Sequence, residues 1–290
     1  MKKEYTLALT TILLWSTFAT ATKLLLTNFN NIQVLCINSL IASIILFVII
    51  IGTKKIKKIK DYKFKDYLIT ILMGLPGTFF YYILYYEGAS KLPASQAFLV
   101  NYMWPIMSVV FACIILKEKI TTQKVFSFIL SFIGIMFIAG SDILYFNKES
   151  FFGIAMCFLA AVSYGFFTAL NKKNGYDSFI TMMISFFTSF ILTTVVIVVK
   201  KDFFVISHLD LLGFLWSGVF TMAIPNTLWI VALNIGNTAK ISNLAYITPF
   251  FSVLWSVLLL DETLKVFSLI GLAIMICGIV FQLKESSQIE

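Results

Sequence analysis

The sequence has 290 residues, of which 60% are hydrophobic, 16% are aromatic and only 12% are charged, and its mean hydropathy is +0.94. Because water-soluble domains carry about 25% charged residues, this composition excludes a soluble globular protein and predicts a polytopic membrane protein. The net charge is +8, and all 22 residues counted as Lys or Arg are lysines, which lie mostly in loops between apolar runs. Membrane topology therefore explains the charge, and no nucleic-acid partner is expected.

Apolar runs of about 20 residues, each long enough to cross a bilayer, follow one another along the chain. Ten such runs cover roughly residues 5–26, 32–52, 67–87, 93–116, 122–140, 151–171, 178–199, 210–233, 239–260 and 264–283. Polar or lysine-bearing stretches such as Lys54–Lys65 and Lys117–Lys124 separate them. An even number of spans places both termini on the same side of the membrane.

The distribution of lysines predicts which side that is. The loops on the side of the termini hold most of the lysines, including the dense stretch Lys54–Lys65. Cytoplasmic loops of membrane proteins carry an excess of positive charge. We therefore predict a multi-pass protein of the bacterial cytoplasmic (inner) membrane with both termini in the cytoplasm.

The chain also repeats itself. One register aligns Tyr102 with Tyr246, and a second aligns Trp15 with Tyr164. Four prolines take part in these matches, and each half has one in its third span and one in its fourth. They are predicted to kink their helices and to act as hinges. These prolines are Pro76, Pro105, Pro225 and Pro249.

Five spans per copy is an odd number, so the two copies point in opposite directions across the membrane. Inverted repeats that meet at a central site are typical of secondary transporters. The predicted fold is an all-α integral membrane protein with ten transmembrane helices, arranged as two inverted five-helix repeats (5+5) around a central cavity. Residues 1–145 are expected to form the first repeat and residues 146–290 the second.

Cysteine and histidine usage gives no sign of a metal site or of catalysis. The four cysteines, Cys36, Cys113, Cys157 and Cys277, lie singly inside apolar runs, and the one histidine, His208, lies in a loop. A metal centre or an enzyme site needs several such groups converging in one cavity. We predict no metal, no cofactor and no enzymatic activity.

The fourth span carries the most distinctive stretch, Asn101-Tyr102-Met103-Trp104-Pro105, at mid-depth. Asn101, Tyr102 and Trp104 can all hydrogen-bond, and a lipid-facing position would leave their polar groups unsatisfied. We therefore predict that this helix lines the pathway of a carrier.

Four motifs give the chain a resemblance to a known family over essentially its whole length. They are Leu14-Trp15-Ser16-Thr17, Val100 through Pro105, Gly236-Asn237 and Thr248-Pro249. On these motifs the chain resembles the EamA branch of the drug/metabolite transporter superfamily, and within it the aromatic amino acid exporter (YddG-like) family. The resemblance implies export of aromatic and other neutral amino acids through a cavity lined mainly by helices one, three, four, six, eight and nine.

The predicted substrate-binding residues are aromatic or polar side chains at span depth, several of them tyrosines of the third span that share adjoining helix faces. They are Trp15, Thr17, Tyr81, Tyr82, Tyr85, Asn101, Tyr102, Trp104, Tyr164, Trp229 and Tyr246. The expected partners are a small-molecule substrate (an amino acid or an amine) and the lipid bilayer. A monomer is compatible with the sequence.

Two substrate classes remain open from the residues alone. The leading prediction is a neutral amino acid, because a pathway rich in Trp, Tyr, Asn and Thr has almost no buried charge. The alternative is an organic cation such as a quaternary amine, held in a tyrosine cage. In that case Glu87, the one acidic residue that could lie within a span, would act as counter-charge or in proton coupling.

Overall fold

The computed structural model describes residues 3–117, 121–139, 148–174, 176–235, 244–263 and 265–286, and within these ranges every regular element is a helix. Seven helical segments of this part are long and apolar enough to cross a membrane. They are Lys3–Leu25, Asn31–Gly52, Phe64–Lys91, Ala94–Ile115, Lys148–Asn171, Ser178–Lys200 and His208–Trp229. The prediction of an all-α integral membrane protein is confirmed, and the ten-span 5+5 arrangement stays a prediction.

Most of these segments consist of more than one helix. The α-helices are α1 (Lys3–Ser16), α2 (Phe18–Leu25), α3 (Asn31–Gly52), α4 (Ile56–Asp61), α5 (Phe64–Leu75), α6 (Tyr81–Lys91), α7 (Ala94–Asn101), α8 (Trp104–Ile115), α9 (Thr122–Ala139), α10 (Lys148–Asn174), α11 (Ser178–Lys200), α12 (His208–Leu215), α13 (Ile224–Ile235), α14 (Thr248–Leu260) and α15 (Val266–Ser286). π-Helical stretches, Pro76–Phe80 and Trp216–Ala223, join α5 to α6 and α12 to α13. A 3₁₀ turn, Ala245–Ile247, precedes α14.

The four predicted kink prolines each lie at or beside an interruption. Pro76 opens the first π-helical stretch, and Pro225 follows the second by two residues. Pro105 and Pro249 lie in the first turn of α8 and α14, where the missing N–H costs the helix nothing. Their role as hinges stays a prediction.

One end of the bundle, called the lysine-rich end below, carries the segment between α3 and α5. There Asp177, just before α11, pairs with Lys55 at 3.0 Å and with Lys58 at 3.4 Å. The Tyr176 hydroxyl donates to Asp66 Oδ1 at 2.9 Å. These contacts join the α3–α5 segment to the start of α11.

The other end, called the opposite end below, is closed by contacts between segments that are distant in the sequence. Lys23 Nζ donates to the carbonyl oxygens of Ala89 at 2.9 Å and Leu92 at 2.7 Å. The Glu262 carboxylate accepts hydrogen bonds from the Ala94 N–H and from the N–H and hydroxyl of Ser95. A cation from α2 and an anion that follows α14 thus hold the same turn between α6 and α7.

Candidate functional site

A cavity of about 480 Å³, including the space open to solvent, lies where the helix interruptions meet. Its walls come from α1, α2, α6, α7, α8, α10, the second π-helical stretch, α13 and α14. The lining residues are Trp15, Phe18, Tyr81, Tyr82, Phe98, Asn101, Tyr102, Trp104, Tyr164, Thr221, Asn226 and Thr248. None of these residues carries a charge, so the site suits a ligand without strong net charge.

The break between α7 and α8 places the polar groups of the fourth span in this cavity. Pro105 has no N–H to continue the helical pattern, and the Tyr102 N–H is shared between the carbonyl oxygens of Phe98 and Leu99 at 2.9 and 3.2 Å. The Tyr102 hydroxyl donates to the Ala245 carbonyl oxygen, in the 3₁₀ turn before α14. Two interrupted helices therefore meet at the cavity.

Two buried polar atoms of the lining have no hydrogen-bond partner in the described part of the chain. Asn101 donates from Nδ2 to the Tyr81 hydroxyl at 3.0 Å, which leaves its Oδ1 unpaired. The Thr248 hydroxyl is also unpaired, and both residues are at most 3% exposed. Since unsatisfied buried polar groups are rare and costly, these atoms are available to a polar ligand.

Aromatic rings surround these polar atoms. Tyr164 packs against Tyr81 with ring centroids 4.8 Å apart and against Trp104 at 5.3 Å in an edge-to-face contact. Trp15, Trp104 and Tyr164 are partly exposed, whereas Tyr81 is buried. Flat π surfaces that meet at an angle form a slot suited to an aromatic or aliphatic side chain.

Seven of the predicted binding residues line this one cavity. They are Trp15, Tyr81, Tyr82, Asn101, Tyr102, Trp104 and Tyr164. The structure brings together residues from the first, third, fourth and sixth predicted spans.

The remaining predicted binding residues lie elsewhere. Thr17 accepts a hydrogen bond from Trp216 Nε1 at 3.0 Å and donates to the Leu14 carbonyl oxygen. Tyr85 stacks on the cavity residue Phe18 with ring centroids 4.8 Å apart and is itself completely buried. Trp229 packs against Trp15 at 5.4 Å, behind the cavity wall. The Tyr246 side chain lies outside the described residues, as do Gly236 and Asn237.

Glu87 lies at the opposite end of the bundle and does not line the cavity. Its carboxylate accepts a hydrogen bond from Asn31 Nδ2 and lies 3.6 Å from the Lys91 ammonium group. Its side chain is 34% exposed, so this acid is a partly solvated residue rather than a buried counter-charge. Across the described ranges, no group of three or more His, Cys, Asp or Glu residues is placed to hold a metal ion.

Sequence reasoning missed five lining residues, of which Asn226 and Thr248 are polar and next to prolines. The Tyr164 hydroxyl donates to Asn226 Oδ1 at 3.3 Å. Both residues adjoin prolines of the predicted repeat, Pro225 and Pro249. A polar side chain beside a membrane proline lies where the helix is interrupted, and that signal could have identified both.

Comparisons with known proteins agree on a transporter. The model of the EamA-like transporter family matches residues 2–140 and again residues 151–283. A Clostridium kluyveri protein named "uncharacterized transporter" is 27% identical, over 96% of this chain and 92% of its own length. The Bacillus subtilis protein named "uncharacterized transporter YoaV" is 23% identical, over 82% of each chain. A solved crystal structure shares the fold with a TM-score of 0.71 at 17% identity, covering 99% of this chain and 98% of the other.

Proposed function

The chain belongs to the EamA-like transporter family, and from that premise we propose that it is a secondary transporter of aromatic and other neutral amino acids. The proposed substrate class is supported by one observation, the uncharged aromatic cavity with two unpaired polar atoms at Asn101 and Thr248. The substrate's side chain would lie against the rings. The substrate's ammonium group would donate to Asn101 Oδ1, and its carboxylate would accept a hydrogen bond from the Thr248 hydroxyl.

The ends of the interrupted helices support a zwitterionic ligand. α8 and α14 both begin at cavity residues, Trp104 and Thr248, and α7 ends at a third, Asn101. A helix start carries partial positive charge and a helix end partial negative charge. Interrupted helices of this kind bind the charged groups of substrates in other transporters. A carboxylate and an ammonium group can thus be bound without a charged side chain.

The proposed ten-span 5+5 arrangement also has support. The family model matches twice, in tandem, with a division close to the proposed boundary between residues 145 and 146. The sequence register that aligns Pro105 with Pro249 also aligns Trp104 with Thr248, and these are the first residues of α8 and α14. Equivalent helix starts in both halves are expected of two inverted repeats that provide alternating access.

The proposed orientation is compatible with export. Along the first segment, Trp15 precedes Phe18 and Lys23, so it lies farther from the closed opposite end than they do. With the lysine-rich end in the cytoplasm, the partly exposed rings face the compartment in which a substrate for export is made.

Binding and transport by purified protein test this proposal. Phe, Trp, Tyr, Leu or Met should raise the thermal unfolding temperature of the detergent-solubilised protein, and the same amino acids should move down their gradients in proteoliposomes. The Asn101→Ala variant should bind them about 10-fold more weakly, because it removes one hydrogen bond to a charged group. Asn28→Ala, a surface variant at the opposite end, is the matched control and should bind normally. If no neutral amino acid binds or moves, the proposal is wrong.

The organic-cation alternative is favoured by one feature, the pair of tyrosine rings, Tyr81 and Tyr82, in the cavity lining. A panel of quaternary amines in the same assay distinguishes the two. Stabilisation by amines alone supports the tyrosine cage, and loss of amine transport in Glu87→Gln would then assign Glu87 a role in coupling.

A further inference from the structure

A second large recess lies outside the transport cavity, on the flank of the bundle between α3, α5 and α11. It has a volume of about 1050 Å³, including open space. Its lining residues are Leu40, Ser43, Ile44, Phe47, Tyr67, Ile71, Met183, Ile184, Phe187 and Thr188. Ile44, Phe47 and Phe187 are 51%, 43% and 52% exposed. We call this recess the flank groove.

The chemistry of the flank groove fits a hydrocarbon chain. The Ser43 and Thr188 hydroxyls donate to the carbonyl oxygens of Leu40 and Ile184, each at 2.8 Å within their own helix. The Tyr67 hydroxyl donates to the Ile59 carbonyl oxygen at 2.9 Å. With its three hydroxyls already donating within the protein, the groove offers an apolar wall to a ligand. None of these three hydroxyls has a proton left to donate to a polar substrate.

The depth of the flank groove places it within one leaflet of a bilayer. The distance along α3 from its end at Gly52 to Leu40 is about 18 Å, at 1.5 Å per residue. The distance along α11 from its start at Ser178 to Thr188 is about 15 Å. Half of a hydrocarbon core is about 15 Å thick. The groove therefore lies in the half of the membrane at the lysine-rich end and reaches the middle of the membrane at Leu40 and Thr188.

The short helix α4 lies over the headgroup end of the flank groove. Its Ile56 and Ile59 belong to the same apolar cluster as the groove residues Tyr67, Ile71 and Ile184. Its lysines are exposed, as is Lys54 before it. This helix thus packs its apolar side on the groove and presents its charged side to the membrane surface.

Acidic groups neutralise only part of the positive charge there. Burial alone would raise the pKa of Asp177, but the hydrogen bond and the charge of Lys55 hold that pKa below its usual range. Asp177 is therefore ionised at neutral pH and pairs with Lys55 and Lys58. The lysines at 54, 57 and 60 have no ion-pair partner among the described residues. The aspartates at 61 and 66 are too few to balance the lysines of residues 54–65.

We propose that the flank groove binds an anionic phospholipid, with an acyl chain along α3 and α11 and the phosphate among Lys54, Lys57 and Lys60. Basic pockets beside transmembrane helices at this depth recognise anionic headgroups. The groove is formed by α3 and α5 of the first predicted repeat and α11 of the second. The lipid therefore binds at the junction of the two halves.

Lipid binding to the purified full-length protein, measured by native mass spectrometry and by thermal shift, tests this site. Dioleoylphosphatidylglycerol should be retained and should stabilise the protein, and dioleoylphosphatidylcholine should do so far less. The triple variant Lys54→Gln, Lys57→Gln and Lys60→Gln should lose about 100-fold in affinity, since each lysine near a membrane surface contributes about fivefold. Ile44→Trp should also weaken binding, with no change of charge.

The matched control removes three exposed lysines at the opposite end, in Lys148→Gln, Lys200→Gln and Lys201→Asn, and should bind the lipid normally. Circular dichroism and monodisperse elution check that each variant is folded. Equal binding of the two lipids, an unaffected lysine triple variant, or full competition by water-soluble glycerol phosphate would each overturn the proposal. None of these readouts depends on which substrate is transported.

Discussion

The Tyr85 side chain is completely buried beside the candidate substrate cavity, and its hydroxyl has no hydrogen-bond partner within the described ranges. Its neighbour Tyr86, equally buried, accepts a hydrogen bond from Asn38 Nδ2 at 3.2 Å. The spacing of the aromatic residues in the third span is evident from the sequence. Which of their rings face the cavity could not be predicted. That depends on the π-helical stretch Pro76–Phe80, which changes the helical register ahead of these tyrosines.

We predict that Tyr85→Phe raises the thermal unfolding temperature by about 2–4 °C, because it removes an unsatisfied buried hydroxyl without creating a cavity. Tyr86→Phe, which leaves Asn38 without that partner, should lower the temperature and is the matched control. Thermal unfolding of both variants in the same detergent is the measurement. A loss of substrate affinity in Tyr85→Phe with no gain in stability would instead make Tyr85 a binding residue.

At the scale of helices, the sequence indicated four of the interruptions by a proline. The break between α1 and α2 contains no proline. There the Ser16 and Thr17 hydroxyls donate to the carbonyl oxygens of Leu13 and Leu14, and the Thr17 N–H also donates to Leu14. Such local bonds compete with the helical pattern. Ser and Thr also occur inside regular membrane helices, so the sequence alone does not identify this break.

Close contact between α9 and α15 depends on Gly134. A Cβ atom there would lie 2.7 Å from the Gly271 carbonyl oxygen and 2.4 Å from Met275 Cγ. We predict that Gly134→Ala destabilises the protein by about 1–3 kcal/mol, the usual cost of overpacking, and lowers its thermal unfolding temperature. Gly52→Ala at the end of α3, where a Cβ meets nothing within 4 Å, should have little effect. Equal unfolding temperatures for both variants would show that the two helices can separate at no cost.

At the scale of the whole molecule, the two ends differ in how they are closed. The side of each loop was predicted from lysine placement and helix count, because both depend on local composition. The contacts that close the opposite end were not, since Glu262 and Ala94 lie 168 residues apart in the chain. The sequence indicated only that Glu262 follows a span, and its partners depend on how the helices pack.

Opening of the opposite end should depend on Glu262. In Glu262→Gln the amide has one acceptor oxygen and no charge, so the bonds to the α7 start at Ala94 and Ser95 weaken. A loss of about 1.4 kcal/mol raises the open fraction about tenfold. The reporter is Thr22→Cys, a buried position between the cavity and Lys23, in a chain whose four native cysteines are replaced by alanine. A membrane-impermeant maleimide should label it about tenfold faster in Glu262→Gln.

The matched control, Lys201→Asn, removes an exposed charge at the same end and should leave the labelling rate unchanged. Added substrate should alter the rate as well, because a ligand that binds one state more tightly shifts the equilibrium between the open and closed forms. An unchanged rate in Glu262→Gln would mean that the remaining contacts, including those of Lys23 with Ala89 and Leu92, are enough to hold this end closed. In that case the carboxylate acts only as a helix cap. The contact that closes the proposed pathway would then be the stacked rings of Phe18 and Tyr85.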